Sequence, residues 1–219
     1  MAQNEFPKTS MNKVNRLPQR GQYDKETIYA IVDEALICHV AFVENNLPFV
    51  LPIIHTRIED TIYLHGAIAN RMLNTIVNGN QICISVTLVD GIVFARSVFH
   101  HSMNYRSAVL FGKGRLVEDD SEKLKAFHAL TNHIAKGRWE EARTPSQKEI
   151  DVTTVVAIEI ESASAKTRTG PPKDDDEDYD LPVWAGVLPL SLQALSPIAD
   201  EKMKENISIP SYIQNYSRK

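Results

Sequence analysis

The chain has 219 residues, 43% hydrophobic and 24% charged, with 24 Lys and Arg against 28 Asp and Glu, a net charge of -4. That length fits one domain with extensions, and the near-average composition excludes collagen, coiled coil and wholesale disorder. The mildly acidic balance argues against a nucleic-acid partner, whose domain is usually strongly basic.

Residues 1–22 are polar, carry scattered Lys and Arg, and read as an extended arm without a secretory apolar segment. The first firm element starts at Asp24, a capping residue, with Ile28, Ile31, Val32, Ala35 and Leu36 on one helical face. Strand-like segments follow at Ile37–Val43, Phe49–Thr56 and Ile62–His65, separated by Asn45-Asn46 and Glu59-Asp60 turns. Pro52 places the second of these at an edge or bulge, because proline cannot donate to a ladder. Asn70–Val77 reads as a short helix stopped by Gly79. Ile82–Val89 and Ile92–Val98 flank Asp90-Gly91, the strongest short-range hairpin signal. Ser107–Val117 is a further strand, Ser121–Ala135 a helix with Leu124, Phe127, Thr131 and Ile134 inward, and Val152–Ile160 a last β-branched strand. Hairpins dominate and strands do not alternate with helices, so an antiparallel barrel with peripheral helices is favoured over a doubly wound sheet.

The main domain is taken as 23–165. A basic, then acidic loop and an apolar return to the barrel occupy 166–190, and a C-terminal extension occupies 191–219. Asp174–Asp180 holds six carboxylates and Tyr179, and reads as a solvated loop. Cys38 and Cys83 lie in separate apolar runs and read as buried free thiols. No apolar run approaches the ~18 residues of a bilayer span. A cytoplasmic location without membrane partner is expected.

No GxGxxG, P-loop, HExxH, GxSxG or CxxC pattern occurs. His100 and His101 are adjacent, so in a strand they would face opposite ways, and no metal site is expected from them. Polar groups concentrate in three places. The first is His65 to Arg71, where a strand ends in Gly66 and a helix opens at Asn70 and Arg71. Helix-start N–H groups and an arginine fork suit a phosphate. The second is Arg96-Ser97 with His100 to Ser107, hard to satisfy in a core without a ligand. The third is Arg138, Trp139, Arg143, Lys166 and Arg168, additional anion contacts if they converge.

The runs Tyr63-Leu64-His65-Gly66-Ala67, Arg71-Met72, Thr87-Leu88-Val89-Asp90-Gly91, Ala95-Arg96-Ser97 and Ser102-Met103-Asn104-Tyr105-Arg106-Ser107 resemble flavin-nucleotide-binding proteins. These are pyridoxamine 5′-phosphate oxidase-like FMN-binding split barrels, similar to the nitroimidazole reductases. Gly137-Arg138-Trp139, Ser164-Ala165-Lys166 and Trp184-Ala185-Gly186-Val187 extend the likeness over roughly residues 20–190. The resemblance implies a six-stranded antiparallel split β-barrel that forms a homodimer, with FMN at the subunit interface. It carries over cofactor-binding roles to His55, Thr56, Tyr63, Leu64, His65, Gly66, Asn70, Arg71, Met72, Ser102, Asn104, Tyr105, Arg106 and Ser107.

Asn70-Arg71 stands near the oxidase branch's Ser-x-Lys phosphate pair. Leu51–Thr56 lacks that branch's basic residues, and no Arg-rich C-terminal segment is present, so pyridoxine phosphate is not implied as substrate. The implied function is a reductase or oxidase of a small molecule, with a nicotinamide cofactor as electron donor and no dedicated nucleophile. A flavin carrier or sensor is the alternative. A haem-binding split barrel, with His100 and His101 as ligand candidates, is a third reading. In the flavin readings the acidic loop 174–180, its ends brought back to the barrel by Lys166, Arg168 and Trp184, would be a flexible cover over the flavin site.

Overall fold

The structure, a computed structural model, describes residues 4–204 and 206–217; the outermost residues of the expected arm and extension lie outside the described residues. After a two-residue strand β1 (Gly21–Gln22), helix α1 (Lys25–Glu34) starts where Asp24 accepts from the Thr27 N–H at 2.8 Å. Its Ile28, Ile31 and Val32 are buried as the spacing predicts. β2 (Ile37–Glu44) and β3 (Leu47–Ile54) form a hairpin, and the Asn45-Asn46 turn takes positive φ at both residues (50° and 62°), as a tight hairpin requires. β4 (Thr56–Ile58) and β5 (Thr61–Ala67) lead to α2 (Arg71–Val77), capped by Asn70. Then come two long strands, β6 (Gln81–Phe94) and β7 (Ser102–Leu116), and helix α3 (Asp120–Ile134). Short α4 (Arg138–Glu141) and α5 (Gln147–Asp151) precede β8 (Thr153–Arg168). β9 (Gly186–Pro189) and α6 (Ser211–Gln214) complete the described elements.

The strands form one antiparallel sheet in the order β3-β2-β6-β7-β8-β5-β4, with β1 on β8 and β9 on β6. It curls without closing, which is the expected split barrel. β3 is an edge strand, in keeping with Pro48 and Pro52. Cys38, Val40 and Phe42 alternate inward along β2 and join Leu64, Ile84, Leu110 and Ile158 in the main core, under α1 and α2. β8 is buried continuously from Thr154 to Ile158 because α3 covers its outer face, where Val155 and Ala157 meet Val117 and Ala126. Cys38 is buried, and burial pushes its thiol up to about 12, so it is inert packing.

Four expectations are corrected. Asp90-Gly91 is not a hairpin: β6 runs straight through it with a bulge between Val89 and Gly91. Gly91 is needed for close approach, since a Cβ there would lie 3.0 Å from the Leu188 carbonyl of β9. The final strand does not stop at Ile160 but continues to Arg168, its second half paired with β7 and β1. The acidic run is exposed over most of its length, as expected, but it is tethered at its first residue and not free. Its Asp174 side chain is enclosed, accepting from the Arg96 and Ser97 N–H groups at 2.7 and 3.2 Å and from the Arg96 guanidinium at 3.1 Å, and Asp176–Asp178 forms a 3₁₀ turn. The N-terminal arm is docked rather than merely extended. Phe6 is buried in the core, and the buried Asn12 donates to the Ala163 carbonyl at 2.9 Å.

Candidate functional site

β8 measures how far apart the candidate residues lie. His65 pairs with Val155 near its start, whereas Arg106 and Tyr105 pair with Thr167 and Arg168 at its end. From 155 to 167 is twelve residues of strand, a contour of about 40 Å at ~3.3 Å per residue. Within one chain the groups 63–72 and 102–107 therefore sit at opposite ends of the sheet.

At the first end, His65 borders an open cavity of about 380 Å³ lined by residues of α3, α4, α5 and the start of β8. Phe127, Leu130, Trp139 and Pro145 give it apolar walls, and Thr131, Arg143 and Glu149 a polar rim. The His65 ring stands edge-on to Phe127, centroids 6.1 Å apart, and its Nδ1 is buried with no hydrogen-bond partner. Burial holds the imidazole below its ordinary value of 6.5, so it is neutral at neutral pH. A buried polar atom without a partner is rare, and here it adjoins a cavity able to admit one. At the rim, the Arg143 fork meets Glu149 at 2.7 and 2.9 Å; with the Ser146 N–H it pulls that carboxyl down to about 2.

The turn after His65 is tight. A Cβ on Gly66 would lie 3.1 Å from both Asn70 Nδ2 and Leu73 Cδ1, while Asn70 Oδ1 accepts from the Leu73 N–H at 3.2 Å. Arg71 is half-exposed, its guanidinium 4.1 Å above the Phe49 ring and its Nε 3.5 Å from Glu44 Oε2. Leu64 and Met72 are core residues. Tyr63 donates its hydroxyl to Glu122 Oε1 at 2.8 Å; burial and that acceptor push the phenol up to about 12. His55 is fully buried, its Nε2 3.0 Å from the Val32 carbonyl and its ring 5.1 Å from His133. Thr56, beside it, is buried as well.

At the other end, Arg106 is clamped between two carboxylates, Nε donating to Asp90 at 3.0 Å and Nη2 to both Asp90 (2.8 Å) and Glu34 (2.9 Å). Asn104, buried, donates to the Gly170 carbonyl at 3.2 Å and accepts from Arg168, which also reaches the Gly170 and Pro171 carbonyls. Burial, aided by nearby Arg20, lowers the Arg168 pKa. Ser107 donates to the Lys166 carbonyl at 3.2 Å, and Ser102 and Tyr105 are half-buried in the ladder.

A second cavity, about 410 Å³, opens beyond this end among Phe94, Arg96, Val98, His101, Val183 and Trp184. His100, Asp175 and Asp178 bring potential ligand atoms within 4.8 Å of one another, and the 3.2 Å His100–Asp175 contact accounts for that clustering. The third group does not converge: Arg143 rims the His65 cavity, Arg138 bonds Glu141 and Tyr212, and Arg168 lies at the far end. Sequence reasoning did not identify Leu130, Glu149 or the Glu34–Asp90 clamp. The Phe127–Thr131 stripe was visible, but its facing a cavity instead of a core was not.

Against known proteins, residues 24–167 match the pyridoxamine 5′-phosphate oxidase family. Among solved structures, a flavocytochrome from Azotobacter vinelandii is 37% identical, covers 94% of this chain and 96% of its own, and superposes with a TM-score of 0.88. An FAD- and haem-binding protein from Mycobacterium smegmatis is 32% identical over 89% of this chain and 96% of its own, TM-score 0.85. A candidate 5-nitroimidazole antibiotic resistance protein from Bacteroides thetaiotaomicron is 25% identical over 65% of this chain and 83% of its own, TM-score 0.56. No curated protein sequence matches significantly. No described helix is long and apolar enough to cross a membrane.

Proposed function

Because this chain belongs to the pyridoxamine 5′-phosphate oxidase family, we propose that it is a flavin-binding redox protein that also holds a haem and works as a homodimer. The observation that carries this reading is its likeness, over 94% of its length, to a flavocytochrome. The residues fit a flavin at the His65 end. Phe127 and Trp139 offer aromatic walls and the unpartnered Nδ1 of His65 a polar contact; Arg71 does not line this cavity, and it would have to exchange its Glu44 partner for a phosphate. The Mycobacterium relative favours FAD over FMN. A bound flavin supplies two-electron chemistry that can be passed on one electron at a time, with haem iron as a one-electron partner.

The separation along β8 supports the dimer, provided both groups of residues carry the cofactor-binding roles the family resemblance gives them. Residues 63–72 and 102–107 come together in one cleft only if the second group comes from a partner subunit. The β2–β3 hairpin also leaves Val43, Leu47 and Val50 more than half exposed, apolar surface suited to a second copy. A nicotinamide nucleotide is the proposed electron donor.

The test is a spectrum of the purified protein, followed by chromatography of the released flavin against FAD and FMN, sedimentation, and anaerobic addition of NADH or NADPH. Flavin bands, a Soret band, a dimer and bleaching by the nucleotide are expected. A colourless protein after expression with flavin supplied would refute the flavin reading. A monomer holding flavin stoichiometrically would refute the dimer.

A further inference from the structure

We propose that His101 is the protein ligand to the haem iron and that the cavity beside it is where the haem lies; this rests on the haem half of the function proposed above. The His101 ring follows a 3₁₀ turn, Val98–His100, and its Nδ1 lies 3.0 Å from the Ser97 carbonyl. A carbonyl only accepts, so Nδ1 carries the proton and Nε2 keeps its lone pair. Nε2 makes no hydrogen bond among the described residues. An imidazole anchored through one nitrogen, with the other bare, is the arrangement by which a backbone carbonyl orients a metal-binding histidine.

The surroundings suit a flat, apolar, carboxylate-bearing macrocycle. Phe94 stands edge-on to His101 with centroids 5.8 Å apart, and Trp184 continues the wall 5.9 Å from Phe94. Val98 and Trp184 are 89% and 69% exposed, a large apolar outlay at the mouth of a cavity that a haem face would cover. Arg96 lines the cavity beside His101, its Nη1 held by the enclosed Asp174, and brings a positive charge to the wall where a haem carboxylate would lie. The other histidines are less suited. His100 turns its Nε2 to Asp175 at 3.2 Å. The unpartnered Nδ1 of His65 is itself buried, and no hydrogen bond through the other nitrogen orients that ring.

The full-length protein is expressed with a haem precursor, and haem per chain is measured by pyridine haemochromogen and by the Soret band in wild type, His101→Ala, His101→Met, His100→Ala and His65→Ala. Loss of haem in His101→Ala alone among the alanine variants, with flavin content and melting midpoint retained, supports the assignment. So do a displaced Soret band in His101→Met and recovery of His101→Ala by added imidazole. Wild-type haem content and spectrum in His101→Ala, or haem loss in His65→Ala instead, overturn this assignment while leaving the flavin–haem reading intact. Wild type that binds flavin but shows no Soret band overturns both.

Discussion

Replacing Arg106 with Met removes a guanidinium that joins three elements: α1 through Glu34, β6 through Asp90, and its own β7. The side chains of Arg106, Glu34 and Asp90 are 31%, 25% and 32% exposed, so the cluster is neither dry nor fully hydrated. An exposed pair contributes roughly 0.2–1 kcal/mol, and breaking a buried one costs roughly 3–5 kcal/mol. The bidentate geometry and the two carboxylates left facing each other put Arg106→Met between these, at about 2 kcal/mol. Met retains the packing of the stem, so the loss isolates the charge. For a chain of this size each kcal/mol moves the melting midpoint by roughly 2–4 °C, giving a drop of about 4–8 °C. Calorimetry at low and high salt reads it, and the gap narrows with salt as screening weakens the wild-type cluster. Adding Glu34→Gln and Asp90→Asn to the variant recovers part of the loss by removing the stranded charges. Flavin content stays at the wild-type level, because the fork is fully engaged within its own subunit. A midpoint within about 1 °C of wild type would mean that water replaces the fork at no cost, and the reasoning fails.

Gly114→Ala puts a Cβ 2.1 Å from Ile76 Cγ2 and 2.9 Å from Val156 Cγ1, both in the core, so overpacking of about 3 kcal/mol is expected, read as a lower urea midpoint. His65 has a folded pKa below its unfolded 6.5, so the unfolded chain binds more protons; its contribution to stability is complete above that value and falls as pH drops toward the folded pKa. His65→Phe removes this component, and urea titrations at a series of pH values below 6.5 will decline less steeply for the variant. Arg71→Ala, at a half-exposed pair with Glu44, costs about 0.5 kcal/mol of stability. If Arg71 grips the flavin phosphate, the same variant weakens flavin by ~2–3 kcal/mol, about 30- to 150-fold in Kd, in a fluorescence titration; unchanged affinity removes it from the site.

Local features were legible where the decisive neighbour is close in sequence. Asp24 and Asn70 cap the helices they precede, Asn45-Asn46 takes the positive φ its residue types favour, and β2 alternates because its inner face meets one core. The errors come from partners distant in sequence. Asp90-Gly91 has the composition of a tight turn, but β9 lies against it and turns the glycine into a point of close approach. Ser162, Ala163, Ser164 and Ala165 lack a strand's usual bulk, yet all four are buried. They are small because β7, β1 and the docked N-terminal arm crowd that half of β8.

The candidate site was legible as residue types and illegible as partnerships. A run of like charges predicts repulsion on average, and Asp174 escapes the average because two N–H groups and a guanidinium converge on it; burial works against its ionisation, and these donors outweigh that and hold its pKa low. Arg106 has the right chemistry for an anion, but Glu34 and Asp90, far away in sequence, already fill its fork. The adjacent pair His100-His101 makes the same point at one-residue resolution. The expected alternation presumes an extended strand, whereas His100 ends a 3₁₀ turn and His101 follows it; the two rings nevertheless find different partners, Asp175 and Phe94. What orients the His101 ring is the Ser97 carbonyl, which points at its Nδ1 only because the intervening residues wind into a 3₁₀ turn. A residue's identity sets which bonds it can make, whereas the fold decides which are already made, and a ligand site consists of those left over.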